Sequence, residues 1–532
     1  MTGSQPSIRM QRLALSLKAL LLVILAATVV RTAWLSDDAY ITLRVVDNFV
    51  EGYGLRWNTF ERVQAFTHPL WALVLSAAYY ITREHLFTTL AVSMAVSMAA
   101  VWTAASGTPR NAAAAMGLVL MLMSRAFMDF STGGLENPLS HLLLSVMALA
   151  FFSDALRGDR RIIALSFIAS LGILNRMDTA LVFLPPLLYE LSLRRTWRSA
   201  SMAAAGLAPF ILWEIFSIIY YGFPFPNTAY AKLATGMGAL EAARNGVYYL
   251  LDSLMNDPVT VPAIAAGAVL PLIQRNARMA PFSVGIILYV LYVIRIGGDA
   301  MSGRFLSVPF FLSVLLVMRM ARGSGRVILA VSLAALLAGL ALTPYPPLAS
   351  GADYGLDRGA LKAQETEFGT AFSYENPEAF ISAYGIADER GYYYRNTGLL
   401  RALMEEHEMP DHPWAAMGRI LRAEGRRVHT FGSVGFMGFF GGPGLRLIDV
   451  FALCDPLLAR LPDGVLLRPG HFRRAVPEGY PETLLYDSNH ITDPRTAALY
   501  DELSLITRGP LLSRERFRAI WRMNTGQLSR GR

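Results

Sequence analysis

The chain has 532 residues, 54% of them hydrophobic, and a mean hydropathy of +0.38, which is too apolar for an ordinary soluble protein of this length. A formal charge of +8 would suit a nucleic-acid partner if it formed one stripe, but the Arg and Lys residues are scattered over short loops between apolar runs. The single cysteine, Cys454, excludes an internal disulfide and a cysteine-based metal cluster, and reads as a buried thiol.

In chain order, apolar runs fall at roughly 12–34, 68–83, 86–106, 111–128, 138–156, 162–175, 178–193, 199–221, 259–273, 279–296, 305–320 and 326–344. Some are shorter than the roughly 20 residues that a bilayer core demands. No small-residue cleavage site follows the first run, so it reads as an anchor. The basic loops are Arg9 to Lys18, Arg157 to Arg161, Arg194 to Arg198, Arg275 to Arg278 and Arg319 to Arg326; by the positive-inside rule they are cytoplasmic. That orientation puts Arg176–Asp178, Pro224–Thr228, Gly297–Arg304 and everything after Leu348 on the outer face. Three apolar segments separate the loop after residue 34 from the Gly134-Leu135-Glu136 turn, although two outer loops need an even number of crossings between them. One segment, the short run after Asn111, is therefore expected to be re-entrant, which leaves about eleven crossings with the N-terminus inside.

Composition changes near Tyr345-Pro346-Pro347, so the expected domains are 1–347, in the membrane, and 348–532, an extracytoplasmic mixed α/β domain. Within the second, Arg427–Phe431 and Leu445–Val450 read as buried strands between Gly-rich turns, and Asp455 to Arg460 as a helix start. The outer loop from Gly222 to Pro258 is long enough for an amphipathic helix, with an ordinary surface loop as the alternative. The basic tail from Arg514, with Trp521, reads either as a helix on an anionic membrane surface or as an exposed or disordered end.

The stretch Ser36-Asp37-Asp38-Ala39-Tyr40-Ile41 sets two carboxylates at the mouth of a span, where anionic groups are poorly solvated near lipid. They either cap a helix starting near Ala39 or carry chemistry, and one arrangement serves both. Asn48, Gly52-Tyr53-Gly54 and Thr67-His68-Pro69-Leu70-Trp71 follow. Later come Thr132-Gly133-Gly134-Leu135-Glu136, Arg176-Met177-Asp178, Pro226-Asn227-Thr228, Ala231-Lys232 and the run Gly297 to Phe305. In order and spacing these resemble the GT-C glycosyltransferases, and among them the bacterial branch with the mycobacterial terminal arabinofuranosyltransferases and the arabinosyltransferases of type IV pilins.

The resemblance implies a polytopic membrane enzyme that moves D-arabinofuranose from a polyprenyl-phosphate carrier to a glycan, glycolipid or pilin acceptor outside the cytoplasm. Mannose or an aminopentose is the nearest alternative sugar. Asp37 matches the loop aspartate that acts as base in that superfamily, with Asp38 as its partner. A sugar transferase needs a carboxylate to take the acceptor proton and a cation near the leaving phosphate. Glu136, Asp178 and Asp299 are acids at outer span ends and suit sugar hydroxyls, or else pair with Arg176 and Arg304. Arg304 and Lys232 suit the phosphate. Tyr40, His68, Arg176 and Asn227 complete the expected substrate contacts in the membrane half. In the other half, Gly470-His471-Phe472-Arg473-Arg474, Ser488-Asn489-His490, Asp449 and Asp455 stand out, with His471 and His490 as candidate acceptor contacts. No metal ligand is assigned, and a divalent cation is left open. The competing class is a transporter or flippase; against it, no inverted repeat is evident and the acids cluster at outer span ends. A passive scaffold would leave the cost of those acids unexplained.

Overall fold

A computed structural model describes residues 8–108, 110–233, 237–321, 325–355, 361–366, 369–374, 380–405, 408–462 and 464–527. The protein is mostly helical. Its first half runs α1 (Ile8–Thr32), α2 (Asp37–Val50), α3 (Pro69–Thr82), α4 (Leu86–Ser106), α5 (Asn111–Met123), α6 (Arg125–Asp129), α7 (Asn137–Phe152), α8 (Asp159–Asn175), α9 (Ala180–Ser192), α10 (Trp197–Gly206) and α11 (Ala208–Tyr220). There follow α12 (Asn227–Leu233), α13 (Ala239–Asn256), α14 (Thr260–Ile273), α15 (Ala280–Arg295), α16 (Ser307–Met320) and α17 (Gly325–Ala341). Among the described residues, two helices are long and apolar enough to cross a membrane, Gln11–Thr32 and Leu86–Ser106. The bent pairs α10 with α11 and α13 with α14 raise that to four, and several shorter apolar helices accompany them.

One end of the bundle is closed by cations on helix C-termini, whose last carbonyls lack partners within their own helix. Lys18 Nζ donates to Ala105 O at 2.9 Å, Arg319 to Gly107 O at 3.4 Å and Arg278 to Phe151 O at 3.3 Å. Arg161 pairs with Glu190 at 3.0 Å and Arg198 with Asp159 at 2.8 Å. The opposite end gathers the loops that carry Asp37, Gly133, Glu136, Arg176 and Arg304.

The sequence points to the run after Asn111 as re-entrant; α5, which that run forms, is one of the shorter apolar helices, and so is α3, which lies along α2. Tyr79 Oη donates to Asp47 of α2 at 2.8 Å and Arg83 pairs with Glu51, so the far end of α3 lies beside α2. The His85 ring, at the start of α4, meets the Tyr40 ring at 5.6 Å. Both ends of α3 therefore face the loop side. The physical reason is α2 itself: it is amphipathic, and its apolar face needs a neighbour, which α3 supplies by lying along it. By contrast, α5 packs along α1, α16 and α17, with Met318 against Gly117 and Met123 against Gly339.

After Pro347 come a β1–β2 hairpin (Leu361–Thr366, Gly369–Tyr374), α18 (Glu389–Thr397), α19 (Leu399–Met404), α20 (Pro413–Ala423), β3 (Val428–Phe431), α21 (Val434–Gly441) and β4 (Arg446–Asp449). The chain ends in β5 (Val465–Arg468), β6 (His471–Arg473), α22 (Tyr480–Tyr486), α23 (Pro494–Arg508) and α24 (Arg514–Asn524). The two expected strands form a parallel pair, Val428 opposite Arg446 through Phe431 opposite Asp449. Asp455 caps a short turn by accepting from Leu457 and Leu458 N. The loop after Gly222 contains α13, whose Leu240 is exposed and whose Tyr248 stacks on Tyr384 at 4.4 Å.

Polar side chains tie this half to the helices. Buried Arg44 of α2 donates to Gly438 O at 2.9 Å and Leu445 O at 2.6 Å. Arg125 pairs with Asp388 at 2.8 Å, Arg390 with Asp129 at 2.6 Å, and Arg474 donates to Ala231 O at 2.7 Å.

Candidate active site

The site grows from the start of α2. Ser36 is its N-cap: the hydroxyl accepts from Ala39 N and donates to Gly133 O at 3.0 Å, which fixes the helix against the Gly133-Gly134 turn. Gly134 has a φ of +74°, and a Cβ there would strike Ala39, so the close approach needs glycine.

Glu136 follows that turn and is fully buried. Arg176 Nη1 donates to Oε1 at 2.5 Å, His68 Nδ1 lies 3.1 Å from Oε2, and Arg304 Nη2 lies 3.5 Å from Oε2. Burial pushes this carboxyl up, but Arg304, Arg176 and His68 together outweigh burial and hold it well below the ordinary carboxylate range. His68 is oriented by Thr42, its Nε2 2.7 Å from Oγ1. Arg176 also donates Nε to both oxygens of Asp178, at 2.9 and 2.8 Å, and lies over the Phe305 ring.

Arg304 opens a 3-10 turn after Gly303, whose φ is +77°. Its guanidinium faces Asp38 and Asp299 at 3.7 Å each, besides Glu136. These are contacts of charge, longer than hydrogen bonds. Among the described residues, Arg304 Nε and Asp299 Oδ2 are buried with no hydrogen-bond partner. Buried polar groups are nearly always satisfied, so orphans side by side mark a place that a polar ligand would complete. Lys232 of α12 is half-buried on the same side. Burial lowers its pKa, opposed by Asp299 and Asp38, and its Nζ sits 3.2 Å from where a Cβ on Gly470 would lie. The turn between β5 and β6 thus closes over the lysine.

The acid pair splits. Asp37 is buried and accepts two amides at the N-terminus of α21, Gly435 N at 3.1 Å and Phe436 N at 2.7 Å. Its pKa is pushed up to about 7, chiefly by burial and by neighbouring Asp38 against the pull of those amides. The Asp38 side chain is 31% exposed and faces Arg304.

Two residues that sequence reasoning passed over join the cluster. Glu389, at the start of α18, is buried and pushed up to about 8 by burial; Arg468 opposes the shift, and Asp38, Asp299 and Asp37 add to it. Arg468 of β5 lies 3.4 Å from Glu389 and 3.4 Å from His471 Nε2. Arg468 borders the noticed 469–474 run, whereas Glu389 carried no signal beyond its charge. His471 is buried, and burial followed by Arg468 and Lys232 keeps it neutral.

The remaining candidates lie elsewhere. Tyr40 packs its ring on Phe436, Phe439 and Phe440, in the seam between α2 and α21. Asn227 spends its amide on Ala452, Leu453 and Asp455 carbonyls and accepts from Arg460, a structural clasp. His490 is exposed and meets Ser488 at 2.9 Å, apart from the cluster. Asp449 accepts from Phe451 and Cys454 N, shaping its own loop. Among the described residues, no three His, Cys, Asp or Glu side chains are grouped to hold a metal ion.

Acids and bases interleaved at the ends of apolar helices, covered by α18, α21 and the β5–β6 turn and open at Asp38, define a polar centre at the edge of a helix bundle. The chain is related to arabinofuranosyltransferases. It is 30% identical over 320 residues to a terminal beta-(1->2)-arabinofuranosyltransferase of Mycobacterium tuberculosis, covering 52% of this chain and 51% of that protein. It is 29% identical over 327 residues to the protein of the same name from Corynebacterium glutamicum, covering 52% of this chain and 46% of that one. The chain thus spans about half the length of the curated relatives it matches. No family model and no solved structure matches it.

Proposed function

We propose that the protein transfers D-arabinofuranose from a polyprenyl-phosphate donor to a glycan, glycolipid or pilin acceptor at the outer face of a bacterial inner membrane. The observation that carries this is the half-open Asp38 carboxylate set beside Arg304, where Arg304 Nε and Asp299 Oδ2 lack partners. Asp38 takes the acceptor proton, being the member of the pair not committed to backbone amides. Asp37 holds α21 in place above it. Arg304 and Lys232 receive the leaving phosphate, and Arg468, at the β5–β6 turn that closes over Lys232, adds positive charge. Glu136, fixed as an anion by its cations, orients Arg176, Arg304 and His68.

In this reading α1, α4, α5, α7, α8, α9, the α10–α11 pair, α14, α15, α16 and α17 cross the bilayer, with α2, α3 and α13 lying at its outer surface. Acids gathered at one end of the helices support transfer at a surface over proton-coupled transport, which places such groups near the midplane. The relatives' names supply the sugar. The test is to offer the purified protein radiolabelled polyprenyl-phosphate arabinofuranose and polyprenyl-phosphate mannose with a synthetic arabinan. Label moving from the arabinose donor alone is expected. Transfer of mannose alone would reassign the donor, and movement of intact lipid across vesicles without transfer would replace the enzyme with a flippase.

A further inference from the structure

The last helix, α24, has an assigned position and an unassigned face. Ser513 caps it, and its inner face carries Arg516, Ala519 and Ile520, all buried. Arg516 donates Nη1 to Ile219 O at 2.7 Å and Nη2 to Tyr220 O at 2.9 Å, while its Nε reaches Ile506 O at 2.7 Å. Asn524 donates to Gly222 O at 2.8 Å. These bonds satisfy the terminal carbonyls of α11 and pin α24 across its end. Helix α11 exposes Ile211, Leu212, Ile215 and Ile218, the apolar flank of a span.

The outer face of α24 continues that flank with a change of chemistry. Phe517 and Trp521 are exposed, Trp521 by 66%, and Leu511 and Leu512 precede them uncovered. Arg514 and Arg518 are exposed on the same face. Arg522 is held by Glu502 at 2.7 Å, and Glu515 is the helix's one acid. Large apolar side chains mixed with arginines suit the headgroup layer: rings and leucines sink to the acyl boundary while guanidiniums meet phosphates. Aromatic residues collect at that depth on spanning proteins.

We propose that α24, with Leu511 and Leu512, lies in the outer leaflet as an anionic-phospholipid contact that anchors the C-terminal half to the bilayer beside α11. The proposal rests on the reading that α11 crosses the membrane and is independent of which sugar is moved. Both the position at the end of a lipid-facing helix and the charge of the exposed face favour lipid over a second copy of the chain.

The experiment uses the full chain in nanodiscs with Trp521→Cys carrying an environment-sensitive fluorophore, and Tyr486→Cys, an exposed position at the end of α22, as the control; native Cys454 is buried. Bilayers contain doxyl lipid labelled near the carbonyl, with or without phosphatidylglycerol. Quenching at 521 well above that at 486, and rising with phosphatidylglycerol, is expected. Arg514→Gln with Arg518→Gln should remove the rise. Equal quenching at both positions would overturn the proposal, and so would a label at 521 shielded from aqueous iodide but untouched by doxyl lipid, since protein or glycan would then cover it. Failure of the sugar assay would leave this result unaffected.

Discussion

Adjacent residues on a helix point about 100° apart, so Asp37 and Asp38 cannot serve one neighbour. That geometry gives Asp37 to the amides of α21 and Asp38 to Arg304. Asp38→Asn should keep the fold, because the amide is nearly isosteric at a half-open position, and should lose about 10²–10⁴-fold in turnover. Size-exclusion profile and transfer rate together check this. For Arg304, Lys substitution should lower both donor affinity and turnover, because a point charge replaces a planar fork, and Gln should be worse. If Arg304 only balances Asp299, Arg304→Gln should misfold and be rescued by adding Asp299→Asn. A stable Arg304→Gln protein deficient in donor binding, and not rescued, is the expected pattern. Glu389 gives a pH signature. Its pKa rises from 4.5 to about 8 on folding, so the folded protein keeps a proton that the unfolded chain releases between those values. Its contribution to stability therefore falls as pH rises through that window and levels off above about 8. Glu389→Gln should gain thermal stability over wild type at about pH 9 and much less at about pH 5, read from unfolding curves.

Between elements, the critical seam is α2 against α21. A Cβ on Gly435 would stand 1.9 Å from the Asp37 carbonyl oxygen, while one on Gly444 would meet nothing within 4 Å. Gly435→Ala should push α21 away at a cost of about 1–3 kcal/mol, expose the C-terminal half to limited proteolysis and lower transfer. Gly444→Ala should match wild type in both. This seam also shows what sequence could and could not reveal. The start of α2, the strands β3 and β4 and the acids at helix ends were legible, because capping residues, apolar runs and costly charges are local signals. Partnership across almost 400 residues is not local: nothing near Asp37 announces that Gly435 and Phe436 will bind it. The same holds for α3, whose apolar run reads like any span until its contacts with Asp47 and Glu51 set it beside α2. The partners of Tyr40 on α21 and of Asn227 at Ala452 to Asp455 are likewise distant in sequence.

Across the whole molecule, the cation-capped end and the acid-lined end give the protein two distinct faces. Impermeant thiol labelling in a Cys454→Ser background should reach an introduced cysteine at Ser488 from the periplasmic side, and one at Ser201 only after permeabilisation. Reversed labelling would detach the C-terminal half from an outer-face reaction. The most direct measurement of the central claim is single-turnover transfer from radiolabelled polyprenyl-phosphate arabinofuranose by purified wild-type and Asp38→Asn proteins. Wild type is predicted to move arabinose to an arabinan acceptor, while Asp38→Asn still binds donor and transfers almost none. Equal transfer by both proteins, or none by wild type with donor bound, would contradict the account.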